Sequence, residues 1–196
     1  MPMRDTFTMG LLPVPQVIFP GIVSSLSIKL RTFAPSVRAA IAHDQSLVFA
    51  LERHDRQPSA VATTGRVLGL EESADGWQLK VAGIQRAHLL SYGHQGNALV
   101  GKFRYASDEE ETIPPLLLEE AWALASELWA MVDERGSHVS LPQAPALLSY
   151  WIAAHIPLNA ATQQELLEIP TSRGRLAKEI SLMRTLLDGL RTQQSG

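Results

Sequence analysis

Along the first half of the chain apolar residues alternate with polar ones. Along the second half they recur every three or four positions. Leu26, Ile28 and Leu30 alternate with Ser25, Ser27 and Lys29, a period of two that puts one face on a core and the other in water. Trp77, Leu79 and Val81 alternate in the same way with Gln78 and Lys80. Ser46 to Leu51 is a short apolar run, the pattern of a strand buried on both faces. Leu99, Phe103 and Tyr105 share one parity, and Lys102 and Arg104 the other. Ala74-Asp75-Gly76 separates Val67–Glu72 from Trp77–Ala82. Asp-Gly tolerates positive φ, so this tripeptide predicts a hairpin. His94 to Asn97, with Gly93 and Gly96, predicts a second hairpin. One helix is expected among the strands, opened by Pro35, with Phe33, Val37 and Ile41 at helical spacing. Many short strands at regular spacing predict a compact barrel, whose closure would remove exposed edges.

The period changes near residue 107. Asp108 to Glu111 is an acidic run expected to be a solvated linker. Pro114-Pro115 opens a helix whose apolar face reads Trp122, Ala125, Trp129 and Val132, and Gly136 supplies a stop. A second helix is predicted from about Gln143 to His155. A third is capped by Asn159 and ended by Pro170, and a fourth is capped by Thr171 or Ser172. In the fourth, Leu176, Ile180, Met183, Leu187 and Leu190 form one stripe. The fold class is therefore α+β: a β-barrel subdomain over residues 1–107, then a small helical bundle over residues 108–196.

Composition narrows the classes. Forty-five per cent of the residues are apolar, as a buried core requires, and there is no cysteine, so disulfides and thiolate metal sites are excluded. The N-terminus does not read as a signal peptide, and no apolar run is long enough for a membrane span, so a soluble cytoplasmic protein is expected. The net charge of -3 divides into +4 over residues 1–106 and -7 over residues 107–196. The basic residues are dispersed and the aromatics few, which argues against nucleic acid as the partner. No phosphate-cradling Gly-x-x-x-x-Gly-Lys motif, nucleophile elbow or His-Glu-x-x-His is present. The six histidines are scattered, the close pair His88 and His94 has no acidic neighbour to complete a triad, and none of the four lysines sits in a setting that suggests a Ser–Lys pair. No catalytic residue, metal ligand or cofactor site is expected.

Three segments carry a resemblance. The first is Leu11-Leu12-Pro13-Val14-Pro15-Gln16-Val17-Ile18-Phe19-Pro20-Gly21, in which a Leu-Pro pair precedes an apolar strand ending in Phe-Pro-Gly. Pro13 and Pro15 should keep this segment on a sheet edge or out of the ladder. The second runs from Gly65-Arg66-Val67 through Asp75-Gly76 to Val81-Ala82-Gly83-Ile84-Gln85-Arg86-Ala87, where Gly83 suggests a bulge or a close backbone approach. The third is Trp151 to Leu158, followed by Gln163-Gln164-Glu165-Leu166-Leu167-Glu168 and Arg173-Gly174-Arg175-Leu176. In order and spacing these resemble the substrate-binding N-terminal domain family of Lon proteases, with one departure: Gln16 stands where that family often has a charged pair.

The resemblance implies a PUA-like β-barrel followed by a helical bundle. It also implies a non-enzymatic recognition module without the ATPase and Ser–Lys protease of full-length Lon. The implied partner is protein or peptide, as unfolded segments or degradation signals, with RNA or a small molecule as the alternative occupant of such a barrel. Candidate contact residues are Tyr92, Trp122, Trp129, Tyr150 and Trp151, each of which could equally be core. Arg86, on a strand among apolar neighbours, could contact a ligand or form a structural ion pair. The oligomeric state is open.

Overall fold

The computed structural model describes residues 6–28, 37, 46–73, 76–108, 111–132 and 140–194. The chain divides into two compact units, Met1–Ser107 and Asp108–Gly196. The helix expected around Pro35 lies outside the described residues apart from Val37, which is buried. So do Leu30, Lys29, Ala74-Asp75 and Gly136.

Among its described residues the first unit holds six strands: β1 (Thr6–Val14), β2 (Val23–Ile28), β3 (Ser46–Leu51), β4 (Val61–Ser73), β5 (Gly76–Gln95) and β6 (Ala98–Tyr105). They form one mixed sheet in the order β2-β5-β4-β3-β1-β6, and β5 pairs with β6 as well. Hydrogen-bonded neighbours therefore make a closed circuit of β5, β4, β3, β1 and β6, with β2 attached to the first half of β5. Only β1 and β3 run parallel; the other pairs are antiparallel.

The predicted alternation is what fills the core. Leu26, Ile28, Trp77, Leu79 and Val81 join Leu12, Val14, Leu47 and Phe49 in one buried cluster. The opposite parity of β1 and β3 feeds a second cluster of Leu11, Val48 and Ala50, with Ala62, Ala87 and Phe103. The apolar run Ser46–Leu51 is thus buried on both faces.

Three findings differ from the pattern expected of the sequence. First, β1 is Thr6–Val14, and the apolar run Val17-Ile18-Phe19 is not a strand, although it is buried. Pro13 sits inside β1 opposite Ala50, beyond the last β1–β6 pair at Gly10, so its missing N–H costs no ladder bond on that side. Second, β4 and β5 extend well past the predicted segments, to 13 and 20 residues. Third, three register shifts each insert one residue: Leu68 in β4, and Ile84 and Leu90 in β5. All three are large aliphatic residues left exposed, because a bulged residue has no ladder partner and the parity flips around it.

Gly83 makes a close approach. A Cβ there would stand 2.1 Å from the Phe19 carbonyl oxygen. Its N–H donates to Ile22 O and its carbonyl accepts from Gly21 N, each at 2.9 Å. Gly21, at φ 75°, turns the Phe19-Pro20-Gly21 segment onto β5.

The second unit holds, among the described residues, the helices α1 (Pro115–Val132), α2 (Pro145–His155), α3 (Ala160–Glu168) and α4 (Ser172–Gln194). Asn159 caps α3 by accepting from Thr162 N at 2.9 Å. At the start of α4 the capping oxygen is that of Thr171, which accepts from Gly174 N at 3.0 Å. The stripe on α4 is buried from Leu176 through Leu187, with Leu190 partly buried. On α1 the buried centre is Ala121, Ala125 and Leu128, with Trp122 partly buried beside it. The face is thus rotated from the predicted Trp122–Trp129 line, because small residues let α1 pack closely while the indoles sit at its flanks. Glu120 pairs with Arg184 and Glu127 with Arg191. Both pairs advance by one heptad in the same direction, so α1 and α4 run parallel.

Candidate functional site

Two side-chain clusters in the helical unit stand out. The first surrounds Arg175, one position before Leu176 on α4, whose side chain is fully buried. Its Nη2 pairs with Asp108 Oδ2, and Nη1 lies 3.4 Å from Asp108 Oδ1. Nη1 also donates to Ile169 O at 2.9 Å, and Nε donates to Ser149 Oγ at 3.0 Å. The guanidinium lies 4.2 Å from the centre of the Tyr150 ring, and the Tyr150 hydroxyl donates to Asp108 Oδ1 at 2.9 Å. Ser149 in turn donates to Glu179 Oε1 at 3.1 Å. Asp108 is therefore half-buried and bonded, where the acidic run had suggested a solvated linker.

Glu179 is fully buried one helical turn beyond Arg175. Burial pushes its carboxyl up to about 8, against smaller opposing effects of the Ser149 hydrogen bond and the Arg175 charge. Arg175 offsets little of that cost because it is already paired with Asp108. Glu179 is the acid that keeps its proton near neutral pH. These bonds hold the start of the unit to α2 and α4.

The second cluster is aromatic. Trp151 and His155 are one turn apart on α2 and stack with ring centres 4.4 Å apart. Trp129 of α1 meets Trp151 at 5.4 Å and His155 at 5.8 Å. His155 Nδ1 lies 2.8 Å from Trp151 O, which can only accept, so Nδ1 carries the proton and Nε2 is the free ring nitrogen of the neutral form. These rings line a shallow pocket with Ala125, Leu128, Ile156 and Pro157, about 230 Å³ including space open to solvent. Because that volume counts open space, the feature is a shallow aromatic depression, not an enclosed small-molecule cavity. Trp129 and Trp151 are both partly exposed. The Trp129 indole N–H is buried with no acceptor among the described residues.

Of the residues singled out in the sequence, the structure brings together Trp129 and Trp151. Trp122 packs partly buried against the helical core. Tyr150 is buried within the Arg175 cluster. In the sheet unit, Arg86 is 3% exposed and lies opposite Thr63 on β4, whereas Tyr92 is 47% exposed near the end of β5. His155 joins Trp129 and Trp151, and its signal in the sequence is its spacing of four from Trp151 on one helix. Arg175, Glu179 and Ser149 form the buried cluster although they look polar in any one-dimensional pattern. No group of three or more potential metal ligands occurs among the described residues. No helix among them is long and apolar enough to cross a membrane.

Comparison with known proteins assigns the family. The model of the ATP-dependent protease La (LON) substrate-binding domain matches residues 8–185. The chain belongs to the LON substrate-binding domain family. Among curated relatives, it is 22% identical to the Lon protease of Escherichia coli K12 over 99% of this chain, and 23% identical to Lon protease 2 of Syntrophobacter fumaroxidans over 91%. It spans only about a quarter of the length of either, 25% and 24%. The N-terminal domain of the Mycobacterium avium complex Lon protease superposes with a TM-score of 0.75 at 21% identity, covering 91% of this chain and 98% of that one. The Lon N-terminal domain protein of Xanthomonas campestris gives 0.68 at 22% identity, covering 89% and 98%. What is matched in this LON-family chain is a non-catalytic domain.

Proposed function

We propose that this chain is a protein- or peptide-recognition module that takes unfolded segments or degradation signals, serving as a substrate-binding or adaptor protein in proteolysis or protein quality control. The closed strand circuit then corresponds to a PUA-like barrel, and the helical unit to the bundle that accompanies it. The observation that carries the reading is the match to a substrate-binding family over nearly the whole chain. The Trp129–Trp151–His155 pocket supports it. It offers partly exposed rings to an apolar side chain of a bound segment. Affinity would come from burying that side chain at roughly 25 cal/mol per Å², less the cost of ordering the bound segment.

The test is fluorescence anisotropy with labelled, reduced and carboxymethylated α-lactalbumin, a permanently unfolded chain, against the folded parent as control. The unfolded form should bind and the folded form should not. Trp151→Ala, at a partly exposed site, should weaken binding by roughly tenfold, the worth of one aromatic contact. Equal binding of folded and unfolded forms, or none of either, would overturn the proposal.

A further inference from the structure

The last stretch of β5 pairs with a single strand. β4 pairs with β5 only as far as His88, and the final tie on that side is Leu89 N to Ala60 O at 2.8 Å. From Ser91 to Gln95, β5 is paired with β6 alone, and among the described residues no strand lies along its other edge. Every residue from Leu90 to Asn97 is exposed, with Leu90 and Tyr92 each at 47%.

The direction of the amides follows from the turn. Gly96 and Asn97 alone connect β5 to β6, with Gly96 at φ 59°. In such a two-residue hairpin the flanking pair, here Gln95 and Ala98, bond to each other, and bonding alternates from there. The amides of Gln95, Gly93 and Ser91 therefore face β6, and those of Tyr92 and His94 face outward.

Natural sheets blunt such an edge with Lys, Pro or inward-pointing charge. Leu89-Leu90-Ser91-Tyr92-Gly93-His94-Gln95 contains none of these. The Leu90 bulge stands before the open stretch and leaves five residues running straight beyond it. The electrostatics are one-sided too: from Gly83 to Tyr105 the chain carries no carboxylate, while Lys102, opposite Ser91, is exposed and Arg104 partly so.

We propose that the outer edge of β5 between Leu90 and Gln95 binds an extended peptide as an added antiparallel or parallel strand, with preference for segments flanked by acidic residues. This rests on the recognition reading above and names its mode. An edge satisfied by backbone groups reads conformation before sequence, because every unfolded segment carries the same N–H and C=O pattern. Leu90 and Tyr92 add apolar contact beside it, and the cationic hairpin favours carboxylates on the guest.

The probe is a fluorescein-labelled peptide of about ten residues, alternating Val and Thr between Glu flanks, compared with the same peptide N-methylated at alternate backbone nitrogens. The unmodified peptide should bind, and methylation on the edge that meets β5 should weaken it by about tenfold, the loss of one or two backbone bonds. His94→Pro removes an outward N–H without touching the β6 ladder and should weaken binding similarly. Amide exchange on the wild-type protein gives a second readout that needs no variant: Tyr92 and His94 should slow on adding peptide, while Ser91 and Gly93 stay unchanged. Equal affinity for both peptides, with no slowing at Tyr92 and His94, overturns the edge proposal. If carboxymethylated α-lactalbumin still binds in a Trp151-dependent way, the recognition reading stands without it. If neither probe binds, both fall. Self-association through this edge that the peptide cannot compete away would also overturn it.

Discussion

Replacing Glu179 by Gln should stabilise the helical unit, and by an amount that grows with pH. The carboxyl lies fully buried, accepts one hydrogen bond from Ser149, and its other oxygen is buried with no partner among the described residues. Its folded-state value of about 8 stands above the 4.5 of the unfolded chain. A raised acid favours the folded state's protonated form, so stability from this group is complete below about pH 4.5. It is lost as pH rises through about 8, because the unfolded chain releases the proton more readily throughout that window. The slope approaches about 1.4 kcal/mol per pH unit, which places the cost at about 3 kcal/mol by pH 7. Gln keeps the acceptor for Ser149 and has nothing to ionise. The two proteins should therefore be nearly equal at pH 5, and the variant more stable by about 3 kcal/mol at pH 7, a shift of roughly 10 °C in Tm for a chain of this size. Urea unfolding followed by circular dichroism at pH 5, 6, 7 and 8 measures the difference directly and reports on the helices. A gap between the two proteins that stays constant over that range would refute the reasoning, since it would mean that Glu179 ionises in the fold as readily as out of it.

Other substitutions test other parts of the structure. Arg175→Met removes the cation that neutralises Asp108 and lies over the Tyr150 ring; the cost should be about 3–5 kcal/mol by urea unfolding, the usual result of breaking one side of a buried pair. Gly83→Ala forces a methyl to within 2.1 Å of the Phe19 carbonyl and should cost about 3 kcal/mol, read as a lower thermal midpoint, with loss of the Gly21 and Ile22 hydrogen bonds in amide exchange. Trp151→Ala should weaken binding of the unfolded probe as described above. Because Trp151 is only partly buried, it should cost less stability than the roughly 3–5 kcal/mol of truncating a core aromatic.

Strands whose side chains alternate cleanly were legible in the sequence, and so were helices with a cap and a stripe. Leu26 and Ile28, Trp77 to Val81, Asn159 and the Leu176–Leu187 stripe each stand where periodicity and capping chemistry put them. What periodicity could not show was continuity across a bulge. Ile84 and Leu90 flip the parity of β5, so a 20-residue strand presents itself in the sequence as a short alternating run followed by noise. The same two shifts conceal that one strand serves three neighbours, β2, β4 and β6, which is what closes the circuit.

The candidate sites were less legible for a related reason: their chemistry lies between positions that a hydrophobic pattern scores against each other. Arg175 and Glu179 flank Leu176 and Ile180 on the buried side of α4, and any scale that rewards apolar periodicity assigns such charges to solvent. They are tolerated inside only because Asp108, 67 residues upstream, returns to balance the guanidinium, and no local window contains both partners. Burying Glu179 beside that balanced pair then costs stability at neutral pH, which an apolar residue of similar volume would not. The cluster is therefore poor as a source of stability and strong as a constraint: its bonds are directional, and the carboxylate of Asp108 can meet Arg175, Ser172 and the Tyr150 hydroxyl together only when α2 and the start of α4 are in register. On the recognition reading proposed above, an aromatic pocket on α1 and α2 gains from this, because the pocket walls keep their geometry only if α2 cannot slide.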